Sequence, residues 1–288
     1  MSRRKYAAFL DLIKVRLVDR AIPFIWATII GVLIASRGLP TLTHLFYALL
    51  TAFFVVMAVY IYNDVMDYEY DRLNELKRPV ATGEVTRVEA AILALSFASI
   101  GVVLTIFTNK ETLLLVLLFL TLGVLYSTPP IRLKHRYMAK PLVTAIGGFI
   151  CSLLGGSLIG NFSIQVIYAA FIFFMLLIAG SSLVDLTDIK GDKIGEVKNL
   201  TVLYGPRFAI KFAIAVFLSV IAITVIGYPF LGFNVLTPII VTGGGTAFVW
   251  FAYSLLHKWQ DPLFCRNTIR KMITINFLFQ ISFVLGVL

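Results

Sequence analysis

Two groups of aspartates in this chain share one spacing. Asp64, Asp67 and Asp71 follow one long apolar stretch, and Asp185, Asp188 and Asp192 follow another, each as D-x2-D-x3-D. On a continuous helix at about 100° per residue, the second triplet falls within roughly 60°, and Asn63, Asp64, Asp67 and Asp71 fall within roughly 100°. Each motif would then present one carboxylate-rich face. Hard oxygen ligands of this kind hold divalent cations, and bridging cations let a carboxylate site accept a phosphate-bearing substrate. Asn63, Asp64, Asp67, Asp71, Asp185, Asp188 and Asp192 are the candidate metal ligands.

Both motifs sit where an apolar helix should leave a membrane. The chain is 59% hydrophobic and 14% charged, with a mean hydropathy of +0.93, which excludes an ordinary soluble domain. Runs long enough to cross a hydrocarbon core of ~30 Å recur at 21–36, 44–62, 89–108, 112–126, 143–159, 164–184, 209–228, 235–256 and 269–288. Nine helices in one all-α transmembrane domain, residues 1–288, are expected, bundled around a central cavity. The basic N-terminal twenty residues do not resemble a cleaved signal peptide.

The charge distribution gives an independent count. Of 25 Lys and Arg residues, only Arg37 and Lys110 fall in loops on the far side. The rest lie at the N-terminus or after helices two, four, six and eight, a strong positive-inside bias. The N-terminus and both acid motifs are thus expected on the cytoplasmic side of a cell membrane, with the C-terminus opposite. This distribution also argues against nucleic acid as the reason for the net charge of +10. Cys151 and Cys265 are too few for a disulfide framework or a thiolate metal site. Gly147, Gly148, Gly155, Gly156 and Gly160 along helix five read as a seam for close helix contact.

An Asp at the bilayer centre costs on the order of 3 kcal/mol on insertion scales. Six of them must face the bundle interior or lie at the interface. Solvated helix ends would account for one triplet, whereas the same spacing repeated on one face points to a shared ligand. A parallel repeat of four-helix units is one reading of that spacing. A secondary transporter with Asp coupling-ion sites is the alternative function, but such sites lie near the midplane, not at helix ends beside Lys and Arg.

The residues around the motifs carry a resemblance. The first reads Asn63-Asp64-Val65-Met66-Asp67-Tyr68-Glu69-Tyr70-Asp71-Arg72, then Lys77-Arg78-Pro79 and Thr82-Gly83. The second reads Asp185-Leu186-Thr187-Asp188-Ile189-Lys190-Gly191-Asp192, and Tyr126-Ser127 closes helix four. Together these resemble the UbiA superfamily of intramembrane prenyltransferases. The resemblance implies two Mg²⁺ ions held by the two motifs, which bind the diphosphate of a polyprenyl donor, geranyl to geranylgeranyl or longer. Ionisation of the allylic C–O bond leaves a carbocation, which a hydrophobic acceptor captures in a site kept dry by the bilayer-embedded bundle.

On that resemblance Asp67, Asp71, Asp188, Asp192, Tyr126 and Lys134 are the catalytic candidates. Arg72, Lys77, Arg78, Ser127, Arg132, Lys134, Lys190 and Lys193 are candidate diphosphate ligands, although orientation in the membrane also accounts for basic residues here. Tyr126 is an interface-belt tyrosine or lines the reaction chamber, and the resemblance favours the chamber. One element departs from the pattern. Many relatives carry Arg-Pro-x-Asn at the start of helix one, near the acceptor pocket, where this chain has Lys14-Val15-Arg16-Leu17-Val18-Asp19. The acceptors of the family include hydroxybenzoates, naphthoates, homogentisate, chlorophyllides, haem and an archaeal isoprenoid glyceryl phosphate. Pro129-Pro130 followed by Arg132 and Lys134 is similar to the chlorophyll-synthase and ether-lipid branches.

Overall fold

The computed structural model describes residues 3–73, 75–187, 189–194 and 197–288, and every regular element among them is helical. Among the described residues, eight membrane-length helices and one shorter apolar helix follow the nine apolar runs. They are α1 (Ile22–Ala35), α2 (Leu42–Met66), α3 (Arg87–Ile106), α4 (Lys110–Ser127), α5 (Ala139–Leu158), α6 (Ile164–Val184), α7 (Pro206–Leu231), α8 (Leu236–Lys258) and α9 (Pro262–Val287). The last eight are long and apolar enough to cross a membrane, and α1, at 14 residues, is the shorter ninth. A π-helical turn, Leu17–Ala21, joins α1 to an N-terminal helix, Arg3–Arg16. Large apolar side chains such as Ile92, Leu95, Leu117, Ile226 and Trp250 point outward, as a lipid-facing surface requires. The chain is an integral membrane protein.

Helix starts are set by side chains that satisfy amides left without intrahelical partners. Thr41, Asn109 and Ser163 accept from the amides of His44, Thr112 and Val166. Thr86 and Glu89 cap α3 reciprocally, and Asp261 accepts from Leu263 and Phe264 ahead of Pro262. Strict alternation then brings the ends of α2, α4, α6 and α8 to one face, together with both acid motifs. The opposite face is tied by the Asn161 amide to the Ala35 carbonyl at 2.9 Å and the Asn234 amide to the Leu285 carbonyl at 2.8 Å.

The buried apolar side chains form two clusters. One gathers α2 and α3 with parts of α4 and α5, the other gathers α6 to α9, and α1 serves both: Phe24 and Ala27 enter the first, Ile30 and Ile34 the second. Lipid tails are as apolar as leucine, so helix contacts in a membrane depend on how closely backbones approach. A Cβ on Gly31 would overlap the Ser152 carbonyl oxygen, and one on Gly155 would overlap that of Thr28. Gly148 faces Phe173 and Leu177 of α6. Gly148 and Gly155 thus make the close contacts of the expected seam, whereas Gly160 lies past the end of α5 at φ +70°, with nothing within 4 Å of an added Cβ; α8 runs unbroken through Gly243-Gly244-Gly245.

Because that seam is backbone on backbone, Gly155→Ala should destabilise the protein by about 1–3 kcal/mol, the usual range for overpacking. Gly243→Ala, where an added Cβ meets nothing within 4 Å, should be neutral or slightly stabilising. Thermal unfolding midpoints of the detergent-purified variants check the contrast, and equal midpoints would show that the seam has slack.

Candidate functional site

The first motif does not lie on one continuous helix. α2 stops at Met66, Asp67 adopts φ −95° and ψ 3°, and a short helix, Tyr68–Leu73, carries Asp71. The Asp67 amide still donates to Asn63 at 2.9 Å, and the Asp71 amide donates to Asp67 at 2.7 Å. The carboxylates therefore leave from a helix end and from the turn after it. The second motif is broken in the same way. α6 ends at Val184, a 3-10 turn spans Asp185–Thr187, and a short helix, Ile189–Ile194, carries Asp192. Asp188 and the side chain of Lys190 lie outside the described residues. The expected single stripes are thus replaced by two interrupted helix exits.

Each described carboxylate of the first motif is buried and meets a base from elsewhere in the chain. Both oxygens of Asp64, 1% exposed, accept from Arg16, Oδ2 from Nε at 2.6 Å and Oδ1 from Nη2. Asp71 accepts from Arg78, whose Nη1 also lies 3.9 Å from Asp64. Asp67 Oδ1 accepts from Lys134 and, at 3.0 Å, from Arg132. Asn63 donates to the buried Ser127 hydroxyl at 3.0 Å, and the Tyr62 and Thr128 hydroxyls bond at 2.7 Å. These two bonds fasten the exit of α2 to the exit of α4.

In the second motif Asp185 accepts from Lys140 at 2.9 Å, and Asp192 accepts from Asn199 at 2.7 Å. Tyr126 is half-buried at the end of α4, beside the buried Ser127. The two motifs are linked by one stretch of chain, whose Arg132 and Lys134 reach Asp67 and whose Lys140 reaches Asp185. Burial holds the Lys134 ammonium below its ordinary range, Asp67 and Asp71 oppose that shift, and Arg132 reinforces it.

Not every expected residue joins this assembly. Arg72, Lys77 and Lys193 are exposed. Arg72 reaches back to the Tyr68 hydroxyl at 3.4 Å, and no ion pair among the described residues joins these three to a motif carboxylate. Two other bases take part unannounced. Arg16 and Lys140 look like ordinary positive-inside residues in the sequence, since their partners lie 48 and 45 positions away. The one available signal was arithmetic: buried acids at helix ends need bases, and these were within reach of the same face. A cavity of about 460 Å³ opens on this face between the N-terminal helix and Thr82–Glu84. Thr82 and Gly83 line it, and none of the described aspartates of the two motifs does.

Removing one member of a buried pair leaves an uncompensated charge, at about 3–5 kcal/mol. Arg16→Met should destabilise on that scale, and adding Asp64→Asn should recover most of the loss. Chemical or thermal unfolding of single and double variants decides it, and an undiminished loss in the double variant would show that Arg16 is held by something other than Asp64.

Known proteins resemble this chain in sequence and in fold. The model of the UbiA prenyltransferase family matches residues 24–271. A digeranylgeranylglyceryl phosphate synthase from Thermococcus sibiricus is 27% identical over 266 residues, covering 90% of each chain. Another from Methanosphaera stadtmanae is 26% identical over 227 residues, covering 78% of this chain and 81% of its own. Among solved structures, a UbiA homologue from Archaeoglobus fulgidus bound to DMAPP and Mg²⁺ superposes with a TM-score of 0.74 at 20% identity, covering 97% of this chain and 99% of its own. With the family match spanning most of its length, the chain belongs to the UbiA prenyltransferase family.

Proposed function

We propose that this prenyltransferase moves a prenyl group from an isoprenyl diphosphate to the hydroxyl of an isoprenoid glyceryl phosphate, with two Mg²⁺ ions held by its aspartate motifs. The observation that carries the reading is that two buried carboxylate motifs are each met by basic side chains of one connecting segment, Arg132 and Lys134 at Asp67 and Lys140 at Asp185. The metal and donor chemistry is supported by the Archaeoglobus homologue described with DMAPP and Mg²⁺. The acceptor is supported by the synthases of Thermococcus and Methanosphaera. The site faces the cytoplasm, as the positive-inside bias requires.

The donor set fits the metal. Asn63, Asp67, Asp71, Asp185, Asp188 and Asp192 offer only hard oxygens for this purpose, and Mg²⁺ is bound through one or two carboxylates plus substrate phosphate oxygens, not by an all-protein cage. Both oxygens of Asp64 accept from Arg16, and each keeps a lone pair that a metal can take. When bound, Mg²⁺ supplies charge that bridges carboxylate to diphosphate and stabilises the departing group.

The chain's own residues do the rest. Arg78, Arg132, Lys134 and Lys140 stand beside the carboxylates and donate to phosphate oxygens. Arg132 retains capacity for this, since its buried Nε has no acceptor among the described residues. The Tyr126 ring lines the chamber, where an aromatic face stabilises a carbocation and keeps water from it. The prenyl tail lies among the apolar helices.

Purified protein, Mg²⁺, radiolabelled prenyl diphosphates of several lengths and a panel of acceptors, glyceryl phosphate ethers and aromatic acids among them, test the whole reading. Label should move to the glyceryl ether, and movement only to an aromatic acid would overturn the acceptor. Excess chelator should abolish turnover and Mg²⁺ restore it, with Asp67→Asn and Asp192→Asn inactive but folded. Full activity in chelator would end the metal mechanism.

The basic residues can be separated from mere topology. Loss of one preorganised donor costs about 2.7–4 kcal/mol of transition-state stabilisation. Lys134→Gln and Arg78→Gln should therefore slow turnover by roughly a hundredfold or more. Lys258→Gln and Arg270→Gln, equally basic but at the α8–α9 end of the bundle, should change it little. Four equally harmless neutralisations would leave the diphosphate to the metal alone.

A further inference from the structure

The ten residues after Pro130 join the two acid motifs. At its start the segment places Arg132 and Lys134 on Asp67. At its end it places Lys140 on Asp185 at 2.9 Å. Between them the segment is fastened sideways to the chain that follows the second motif. The Met138 amide donates to the Lys198 carbonyl at 3.1 Å, and the Tyr137 and Tyr204 hydroxyls bond at 2.6 Å. The Tyr204 ring rests 5.0 Å from that of Phe208 at the start of α7. One residue after Lys198, Asn199 caps the helix Leu200–Tyr204 while its side-chain amide donates to Asp192.

The backbone of the segment is itself held against its preference. Arg132 and Met138 are both in the left-handed region, at φ 36° and 52°. Non-glycine residues stay there only where the surroundings over-determine them. Arg132 is fixed by its amide to the Thr128 carbonyl at 2.8 Å and Met138 by the Lys198 carbonyl. Tyr137 is 57% exposed and Tyr204 is 54% exposed. Neither packs in the core, so their contact is not needed to build the bundle.

We propose that residues 131–140 form a strap across the mouth of the site, with Tyr137 and Tyr204 as its clasp, holding three cations in register with both motifs and keeping water from the reacting carbon. The inference rests on the prenyl-transfer reading. In that reaction the allylic C–O bond breaks and its electron pair leaves with the diphosphate. The cation then bonds to the acceptor oxygen, which releases its proton. If water enters first, the cation bonds to the water oxygen, a proton is lost, and the product is the prenyl alcohol. Tyr137 and Tyr204 are positioning residues, since they touch neither the diphosphate ligands proposed above nor the reacting atoms.

The test uses the full chain in detergent or nanodiscs, with Tyr137→Phe, Tyr204→Phe, the double variant and Tyr6→Phe as an exposed control. Amide hydrogen exchange reads the clasp without reference to catalysis. A hydrogen bond of net strength typical for proteins shifts a local opening equilibrium by roughly 2–10-fold, so exchange across 131–140 and 197–204 should rise by that factor in either Phe variant, and no further in the double. The second reading is the ratio of prenyl alcohol to transferred product from radiolabelled geranylgeranyl diphosphate and a geranylgeranylglyceryl phosphate acceptor. That ratio should rise severalfold in the same variants and stay at the wild-type value in Tyr6→Phe.

Unchanged exchange in the double variant would overturn the clasp. Faster exchange with an unchanged alcohol ratio would overturn the shielding role. If the wild-type protein neither ionises nor transfers any prenyl diphosphate, the failure lies with the prenyl-transfer reading, and the exchange experiment still decides whether the tyrosines hold the strap.

Discussion

The acid motifs occupy the wrong ends of their helices. A helix carries partial negative charge at its C-terminus, which favours cations there and disfavours carboxylates by a few tenths to about 1 kcal/mol each. Yet Asp64 and Asp67 sit in and just beyond the last turn of α2, and Asp185 caps α6. Burial adds to the penalty, since Asp64, Asp67, Asp71 and Asp185 are all nearly inaccessible. Such an arrangement stands only with compensating positive charge, and the chain brings it from four places: the N-terminal helix (Arg16), the turn after the first motif (Arg78), the α4–α5 connection (Arg132, Lys134) and the start of α5 (Lys140). The loops on this face are shaped by that requirement.

The same requirement explains why the site suits its chemistry. Carboxylates that must be neutralised locally are ready to exchange one cationic partner for another, and the bases so released face an incoming anion. A diphosphate accompanied by divalent cations satisfies both sets at once, which neither a monovalent coupling ion nor a bare anion does. The transporter alternative also loses its footing in the geometry. Asp64, Asp67, Asp71 and Asp185 lie at interrupted helix exits on one face, each tied to a basic side chain there, whereas transporter sites lie near the bilayer midplane.

How much of this was legible depended on range. The eight membrane-length helices and the shorter α1 all coincide with apolar runs, since hydropathy is a local property and a spanning helix satisfies its own backbone. The glycines of α5 were legible for a similar reason: small residues in a membrane helix mark close contact whatever the partner. The course of the chain through the motifs was not. A 100° rotation per residue carried on past Met66 and Val184 assumes an unbroken helix, and the tertiary demand to aim three carboxylates at separate bases overrode it. Arg16 and Lys140 were invisible for another reason. Positive-inside bias makes every base on this face look alike, and only the fold, closing loops of more than forty residues, shows which ones are buried against an acid.

That distinction bears on the one element that departs from the family pattern. The segment Lys14-Val15-Arg16-Leu17-Val18-Asp19 lacks the proline and asparagine of many relatives, but it retains an arginine, and this arginine is the one that grips Asp64 through both oxygens. The π-helical turn beginning at Leu17 follows at once, and π turns inside helices are found mostly where a side chain must be aimed for function. The departure in sequence thus falls on residues around the gripping arginine, not on the grip. On the proposed function, acceptor selection would share this corner of the molecule with the Arg16–Asp64 pair. A change in acceptor between relatives can then be accommodated by the neighbours of Arg16, as long as the buried pair that holds the start of α1 against the end of α2 is left in place.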